Sequence, residues 1–420
     1  FGVPGEKYVQ KAWENNWLLK SDSIINPATL AKARDLDIKA NVEPIAGLKI
    51  NLSAKYVTTD QQSIQYMYEG MPTTFNGTFR MTSATIATSF WSIGNAKNNY
   101  QSKAYQNFKA NRQFIANHLQ SKYVNTRYPS YGFMSELPTL AGKKYDATKG
   151  AYNLNSPDVL IPAFFAAYTN RSIEKVEKSP LPSLLSLLPN WSITYDGLSR
   201  IAWVKKHFKT VSLKHAYQCT YNVGQYSSYA NYVENQDGLG FVQDVLSGNP
   251  IPSSPYDITS VSFSESFNPL IGMDVALKNS LTAKLEYRKQ RNITLNLTSS
   301  QIVESSNDEW VVGLGYVVKD FDVVLKLKNK TSKVKNNLTT RVDFSFKDIK
   351  TIIRRIDTDD VQPTSGNKTI GVKVSADYVF SSRLNLRLFY DYQMSNPLIS
   401  TSYPIANSNF GFSIKLMLTR

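Results

Sequence analysis

From Thr210 onward the chain alternates apolar and polar residues in one segment after another. Val211, Leu213, Tyr217, Cys219, Tyr221 and Val223 hold one parity, while Ser212, Lys214, Gln218, Thr220 and Asn222 hold the other. The rhythm returns over 271–277, 281–287, 310–318, 370–380, 384–392 and 410–418. A period of two marks a strand with one face against an apolar medium and the other against water. Repeated at about ten residues a time, it predicts an all-β membrane fold, an antiparallel transmembrane β-barrel. A soluble sandwich also turns polar residues outward, so alternation alone leaves open which face meets lipid.

The first half of the chain is mixed. Tyr8, Ala12, Trp13 and Trp17 recur at helical spacing and predict an amphipathic helix over 1–34, with Pro27 as a breaker. Strands are expected over 36–42 and 48–57 around a turn at 43–47. A third is expected through Ile64, Tyr66 and Tyr68, and a fourth over 78–89. Between 94 and 190 the alternation breaks. A helix over 98–121 carries Tyr105, Phe108, Ile115 and Leu119 on one stripe. A second over 156–168 has Ser156 as N-cap and Pro157 at its first position. Pro180, Pro182 and Pro189 then bracket the apolar run SLLSLL. This insert reads as a partly helical plug or cap over a pore. Strands resume at Trp191, interrupted by expected loops at 224–255, 326–335 and 352–368, for on the order of 14 strands or more. The division is therefore a helical lead-in with strands (1–93), the insert (94–190) and barrel strands (191–420).

Register is legible at two hairpins. Pairing Phe380 with Leu384 sets Tyr378 opposite Leu386 and Val374 opposite Tyr390, all apolar. On the other face it sets Asp377 opposite Arg387 and Lys373 opposite Asp391, two pairs of opposite charge. Pairing Leu277 with Leu281 likewise sets Asp274 opposite Lys284. Lipid-facing positions are then Leu285, Tyr287, Val372, Val374, Tyr378, Leu386, Leu388 and Tyr390. Charged lumen-facing positions are Asp274, Lys284, Glu286, Arg288, Lys373, Asp377, Arg387 and Asp391.

Composition narrows the chemistry. Lys and Arg number 48 against 33 Asp and Glu, a net charge of +15, and mean hydropathy is −0.32. No apolar run reaches the ~18 residues of a membrane-spanning helix, which leaves a barrel untouched because its strands need apolar residues only at alternate positions. Among 25 tyrosines, Tyr56, Tyr287, Tyr316, Tyr378, Tyr390 and Tyr392 sit where aromatic girdles are expected. The single cysteine, Cys219, reads as a small hydrophobe. The start at Phe1, without Met or a signal peptide, reads as a mature product or an internal piece of a longer chain.

His118, His207 and His215 lack carboxylate or cysteine neighbours at ligand spacing, and no phosphate-cradling glycine pattern occurs. Neither an enzyme nor a cofactor or metal is expected. The basic run Lys326, Lys328, Lys330, Lys333 and Lys335 reads as a solvated loop or a contact with lipid phosphates, not a nucleic-acid site.

Several long strings carry a resemblance. SPDVLIPAFFAAYT (156–169), LPNWSITYDGLSRI (188–201), FKTVSLKHAYQCTYNVG (208–224), FNPLIGMDVALKNSLTAKLEYRKQRNITLNL (267–297) and VSADYVFSSRLNLRLFYDYQ (374–393) resemble the SprA/Sov family. So do VEPIAGLKINLSAKY (42–56) and STSYPIANSNFGFSIKL (400–416). That family is the outer-membrane translocon of the type IX secretion system in Bacteroidota. The resemblance implies that this chain is the C-terminal portion of a very large single-chain barrel in the bacterial outer membrane. It implies passage of folded cargo bearing a C-terminal signal domain, in service of gliding motility and virulence-factor export. Implied partners are outer-membrane lipid and lipopolysaccharide, a PorV-type barrel protein, a periplasmic plug protein, secreted cargo and the N-terminal remainder of the same polypeptide. The competing readings are a porin or plugged nutrient receptor, a closed barrel of this chain alone, and a soluble multi-strand binding protein.

Overall fold

The structure is a computed structural model that describes residues 8, 11–12, 14–17, 27–64, 74–327, 330–381, 383–399 and 402–416. It is mostly antiparallel β-sheet, organised around one thirteen-stranded sheet. The long strands are β1 (Ala28–Val42), β2 (Leu48–Ile64), β3 (Thr74–Thr82), β5 (Phe208–Ser228), β10 (Ser260–Leu277), β11 (Leu281–Asn296), β12 (Gln301–Leu327), β13 (Lys330–Arg355), β14 (Val361–Val379), β15 (Leu384–Pro397) and β16 (Ile405–Leu416). They lie side by side in that order, β1 at one edge and β16 at the other. Short β4 (Asn190–Tyr195) bridges β2 and β5, and β9 (Tyr256–Ile258) pairs with β5. A separate small sheet joins β6 (Val233–Glu234), β7 (Gly240–Gln243) and β8 (Pro250–Pro252).

Nearest-neighbour pairing follows from tight turns. The β10–β11 and β14–β15 hairpins pair as the charges require: Asp274 faces Lys284, Asp377 faces Arg387 and Lys373 faces Asp391. Phe380 N–H donates to Leu384 O at 2.9 Å to close the second hairpin.

Two helices interrupt the sheet. α1 (Lys103–Tyr123) buries Tyr105, Phe108, Ile115 and Leu119 on one stripe, as its 3.6-residue spacing dictates. α2 (Pro157–Thr169) begins with proline at its first position and is buried from Asp158 to Thr169. Ser156 precedes it in extended conformation but makes no side-chain capping bond. A third, one-turn helix, α3 (Ala202–His207), leads into β5.

Several segments differ from the sequence reading. Residues 28–34, expected in the first helix, belong to β1. Their pattern is period two, but Lys32 and Arg34 occupy the apolar parity and hide it. Ile64 ends β2, and Tyr66 and Tyr68 lie outside the described residues, as does most of the expected first helix. The fourth expected strand stops at Thr82, after which the chain leaves the sheet through a 3-10 turn at Ile86–Thr88. The expected loop at 352–368 is mostly strand, with only 356–360 as a turn. The expected Lys-rich loop falls at the end of the β12–β13 hairpin, where Lys326, Lys330, Lys333 and Lys335 are strand residues and Lys328 lies outside the described residues. Within 224–255, β5 runs on to Ser228 and the rest builds the small sheet.

Candidate functional site: one apolar face in two halves

Strand pairing carries one face across the sheet without a break. One cross-strand row reads Val42, Ile50, Ile193 and His215 from β1 to β5 and, beyond a register shift between β5 and β10, Ile271, Tyr287, Trp310, Phe346, Ile370, Met394 and Ala406 from β10 to β16. The next rows toward the tight turns add Leu285, Val312, Phe344 and Val372, then Leu314, Val342, Val374, Tyr390 and Phe410. Over this band the face bears no Asp, Glu, Lys or Arg among the described residues. Yet it is open: Leu314 is 50% exposed, Leu388 44% and Phe412 67%. Monomeric soluble proteins rarely expose contiguous apolar patches beyond a few hundred Å².

On β12 the band runs from Trp310 to Val318, about 27 Å along the strand, or about 20 Å in height at the ~40° tilt of barrel strands. That is close to the ~25 Å apolar band of an outer-membrane barrel. Its margin is marked. Trp310 and Tyr287 stack at 4.5 Å, and Tyr287 Oη donates to Asp308 at 2.7 Å. Lys289 reaches the same carboxylate at 2.8 Å. An aromatic row followed at once by charge suits an interface between hydrocarbon and water.

Of the positions expected to face lipid, Leu285, Tyr287, Val372, Val374, Leu386, Leu388 and Tyr390 lie on this face and are half-buried or exposed. Tyr378 shares the face but is only 4% exposed, which corrects its assignment. A register shift between Val318 and Phe321 turns the end of the β12–β13 hairpin over it. Its hydroxyl donates to Phe321 O and Val334 O.

The opposite face is polar. All eight expected charged positions fall there. Lys214 meets Asp274 at 2.7 Å, and Arg387 meets Asp377 at 3.8 Å. Glu286 sits between Lys284 and Arg288, and Arg288 also reaches Glu309 at 3.4 Å. Gly313 and Gly315 fall on this face; a Cβ on either would approach Asp343 Oδ1 or Thr282 Oγ1 to 2.6 Å. Hollows of about 280, 340 and 560 Å³ also open there.

The helical insert packs on the apolar face, not on the charged one. Strand parity is continuous along β11, so Arg291, Ile293 and Leu295, buried under the insert, share the face of Leu285 and Tyr287. Phe164 stacks on Phe263 at 5.5 Å, and Phe165 meets Tyr221 edge-on at 5.2 Å. A plug in a charged lumen and a lipid-facing apolar band therefore cannot both hold.

Charges on this covered half are paired and bonded, as burial demands. Glu265 and Arg291 meet at 3.0 Å. Glu265 Oε1 accepts from Thr85 and Ser89 at 2.6 Å each and from Tyr217 at 2.8 Å, while Arg291 donates to Thr88 O at 2.8 Å. One strand-pair further on, Arg354 meets Glu304 at 3.4 Å and donates to Tyr100 O and Ile93 O at 2.6 Å. Tyr168 of α2 donates to Glu304. These two clasps hold segment 83–100 and α2 against the sheet. Sequence reasoning passed over them, although charge on the apolar parity of Glu265 and Arg291 was the available signal.

Around the insert, Tyr123, Tyr128, Tyr145 and Phe241 form a second buried cluster that ties α1 to the small sheet. No helix among the described residues is long and apolar enough to cross a membrane, and no cluster of metal-ligating residues appears among them. His215 Nδ1 lies 2.7 Å from Leu270 O, a backbone contact. No family model and no curated protein matches the chain.

Proposed function

We propose that this chain is part of the wall of a very large outer-membrane β-barrel that conducts folded proteins, as the resemblance to the type IX translocon implies. The single observation that carries the membrane reading is the charge-free, solvent-open apolar band crossing every long strand from β5 to β16. In water such a surface would drive association. In hydrocarbon it is the expected exterior of a barrel.

The sheet's edges support a wall larger than this chain. β1 and β16 each pair on one side only among the described residues. Unpaired backbone groups in hydrocarbon cost several kcal/mol each, so both edges call for further strands. Those strands are assigned to the remainder of the polypeptide. Barrel diameter grows with strand number, and a wall exceeding these strands encloses an aqueous lumen. The charged face of Lys373, Asp391, Arg288 and Glu286 lines it.

The connections are unequal at the two ends. Turns at 43–47 and 278–280 and the β14–β15 turn lie at one end with the 196–207 connection. The 229–259 connection lies at the other with turns at 297–300 and 356–360. The insert leaves between β3 and β4, part-way along their shared strand line, to cover the half nearer that second end. Outer-membrane barrels keep short turns in the periplasm and long loops outside. The insert is therefore extracellular and outside the wall, a buttress beyond the membrane margin. A plugged nutrient receptor would need the helical domain on the charged face instead.

The test uses photo-cross-linking residues in living cells. At Lys373 and Asp391 they should trap secreted proteins bearing the C-terminal signal domain, and at Leu388 they should trap none. Liposomes of the purified protein that pass small solutes, with no cargo adduct at either charged position in cells, would establish the porin reading and overturn this one.

A further inference from the structure

Between the insert and β4, the run Pro182-Ser183-Leu184-Leu185-Ser186 forms a built tip. Leu184–Ser186 is a 3-10 turn, with Ser183 Oγ accepting from Leu185 N–H at 3.2 Å. Ser183 is itself fastened, since its N–H and its hydroxyl both donate to Glu177. Pro180, Pro182 and Pro189 restrict the backbone on either side. This support presents Leu185 at 94% exposed and Leu184 at 51%, while Ser186 is buried. Leaving a leucine in water forgoes about 1.5–3 kcal/mol of burial, which a rigid tip cannot recover by collapsing.

The place of the tip says what covers it. Leu181 and Leu187, on either side, pack into the core between insert and sheet. Leu188 N–H donates to Thr82 O at 3.4 Å, and two residues on the chain enters β4. There Trp191 stacks on Tyr217 at 4.6 Å in a row with Leu52, on the apolar face. The tip thus stands at the junction of the covered and bare halves, continuous with the band.

We propose that Leu184 and Leu185 form a wedge that enters the lipid leaflet adjoining the band, seating the insert on the bilayer as well as on the sheet. The proposal rests on the membrane reading of the band, and its occupant is acyl chain, not a second protein.

Cys219 is buried, and Cys219→Ala removes it as a labelling site. In that background the complete polypeptide carries a single environment-sensitive fluorophore at Leu185→Cys, Leu388→Cys or Leu246→Cys, in phospholipid nanodiscs. Leu246 is 96% exposed on the small sheet's hairpin and reports water. The expected result is loss of fluorescence at 185 and 388 with a nitroxide on the lipid chain and protection from iodide. Position 246 should show the reverse. For 185, a nitroxide near the glycerol end should quench most, whereas 388 should favour a deeper one. If 185 behaves as 246 while 388 stays in lipid, the wedge is overturned and the band stands. If 388 also reads water, both readings fall together.

Discussion

The two halves of one sheet face obey different rules. Under the insert, the face bears Glu265, Arg291, Glu304 and Arg354, each buried and bonded. Over the bare band the same face, on the same strands, bears no charge among the described residues, and apart from Tyr378 it stands open. A buried charge survives where a preformed set of partners replaces water. The covered half has such partners in Thr85, Ser89, Tyr168 and the carbonyls of Ile93 and Tyr100. The bare half has none, and its composition fits a medium that offers no hydrogen bonds. The difference separates a surface made for its own chain from one that, on the proposed reading, is made for a solvent other than water.

The sharpest way to break this comparison is to remove one member of a clasp. Arg291→Ala leaves Glu265 buried without its cation and leaves Thr88 O without its donor, at a cost of about 3–5 kcal/mol. Segment 83–100 should become the first site of protease cleavage. Glu265→Gln with Arg291→Met should recover most of the loss, because what the site requires is a filled, satisfied interface. Equal damage in the double variant would show that the ion pair itself holds the insert.

In the bare half, a new charge should behave in the opposite way on the two faces. Leu388→Arg near mid-band should cost about 2–4 kcal/mol of folding in a bilayer. Gln393→Arg, exposed on the charged face of the same strand β15, should cost nearly nothing. Heat-modifiability of the assembled barrel on gels reads both. Equal tolerance would mean that the band does not face lipid.

How much of this was legible in sequence depended on whether a residue's environment was local. The register of β14 on β15 was legible because Asp377, Arg387, Lys373 and Asp391 sit directly opposite across a short turn. The face of Leu285 was legible by parity, but the side on which the insert would land was not. Nothing in 94–190 announces that Phe164 meets Phe263, 99 residues on, or that Phe165 meets Tyr221, 56 residues on, because those contacts are set by tertiary packing. Tyr378 was misassigned for a similar reason: its cover comes from Phe321 on β12, which reaches β14 only across β13, and from Val334 near the end of β13. Residues 28–34 were read as helix because Lys32 and Arg34 blunt the alternation, and only pairing with β2 reveals them as strand.

The smallest expected effect sharpens the covered side of the comparison. Asp158 opens α2, fully buried, and its two oxygens accept from Ser254 N–H at 2.8 Å and Ser254 Oγ at 2.5 Å. Burial raises its carboxyl above the usual range, and the Ser254 bonds oppose that rise without cancelling it. The folded protein therefore holds this proton more tightly than the unfolded chain does. The resulting stability is present in full below the unfolded carboxylate value near ~3.9 and is lost as pH rises through the folded value. Asp158→Asn keeps an acceptor for Ser254 and removes the titration. The difference in denaturant midpoint, wild type minus variant, should fall as pH rises from about 4 and then level off above the folded value. Near-ultraviolet circular dichroism of the insert's tyrosines reports those midpoints. A difference that stays constant with pH would mean that the Ser254 bonds hold a carboxylate as comfortably as water does.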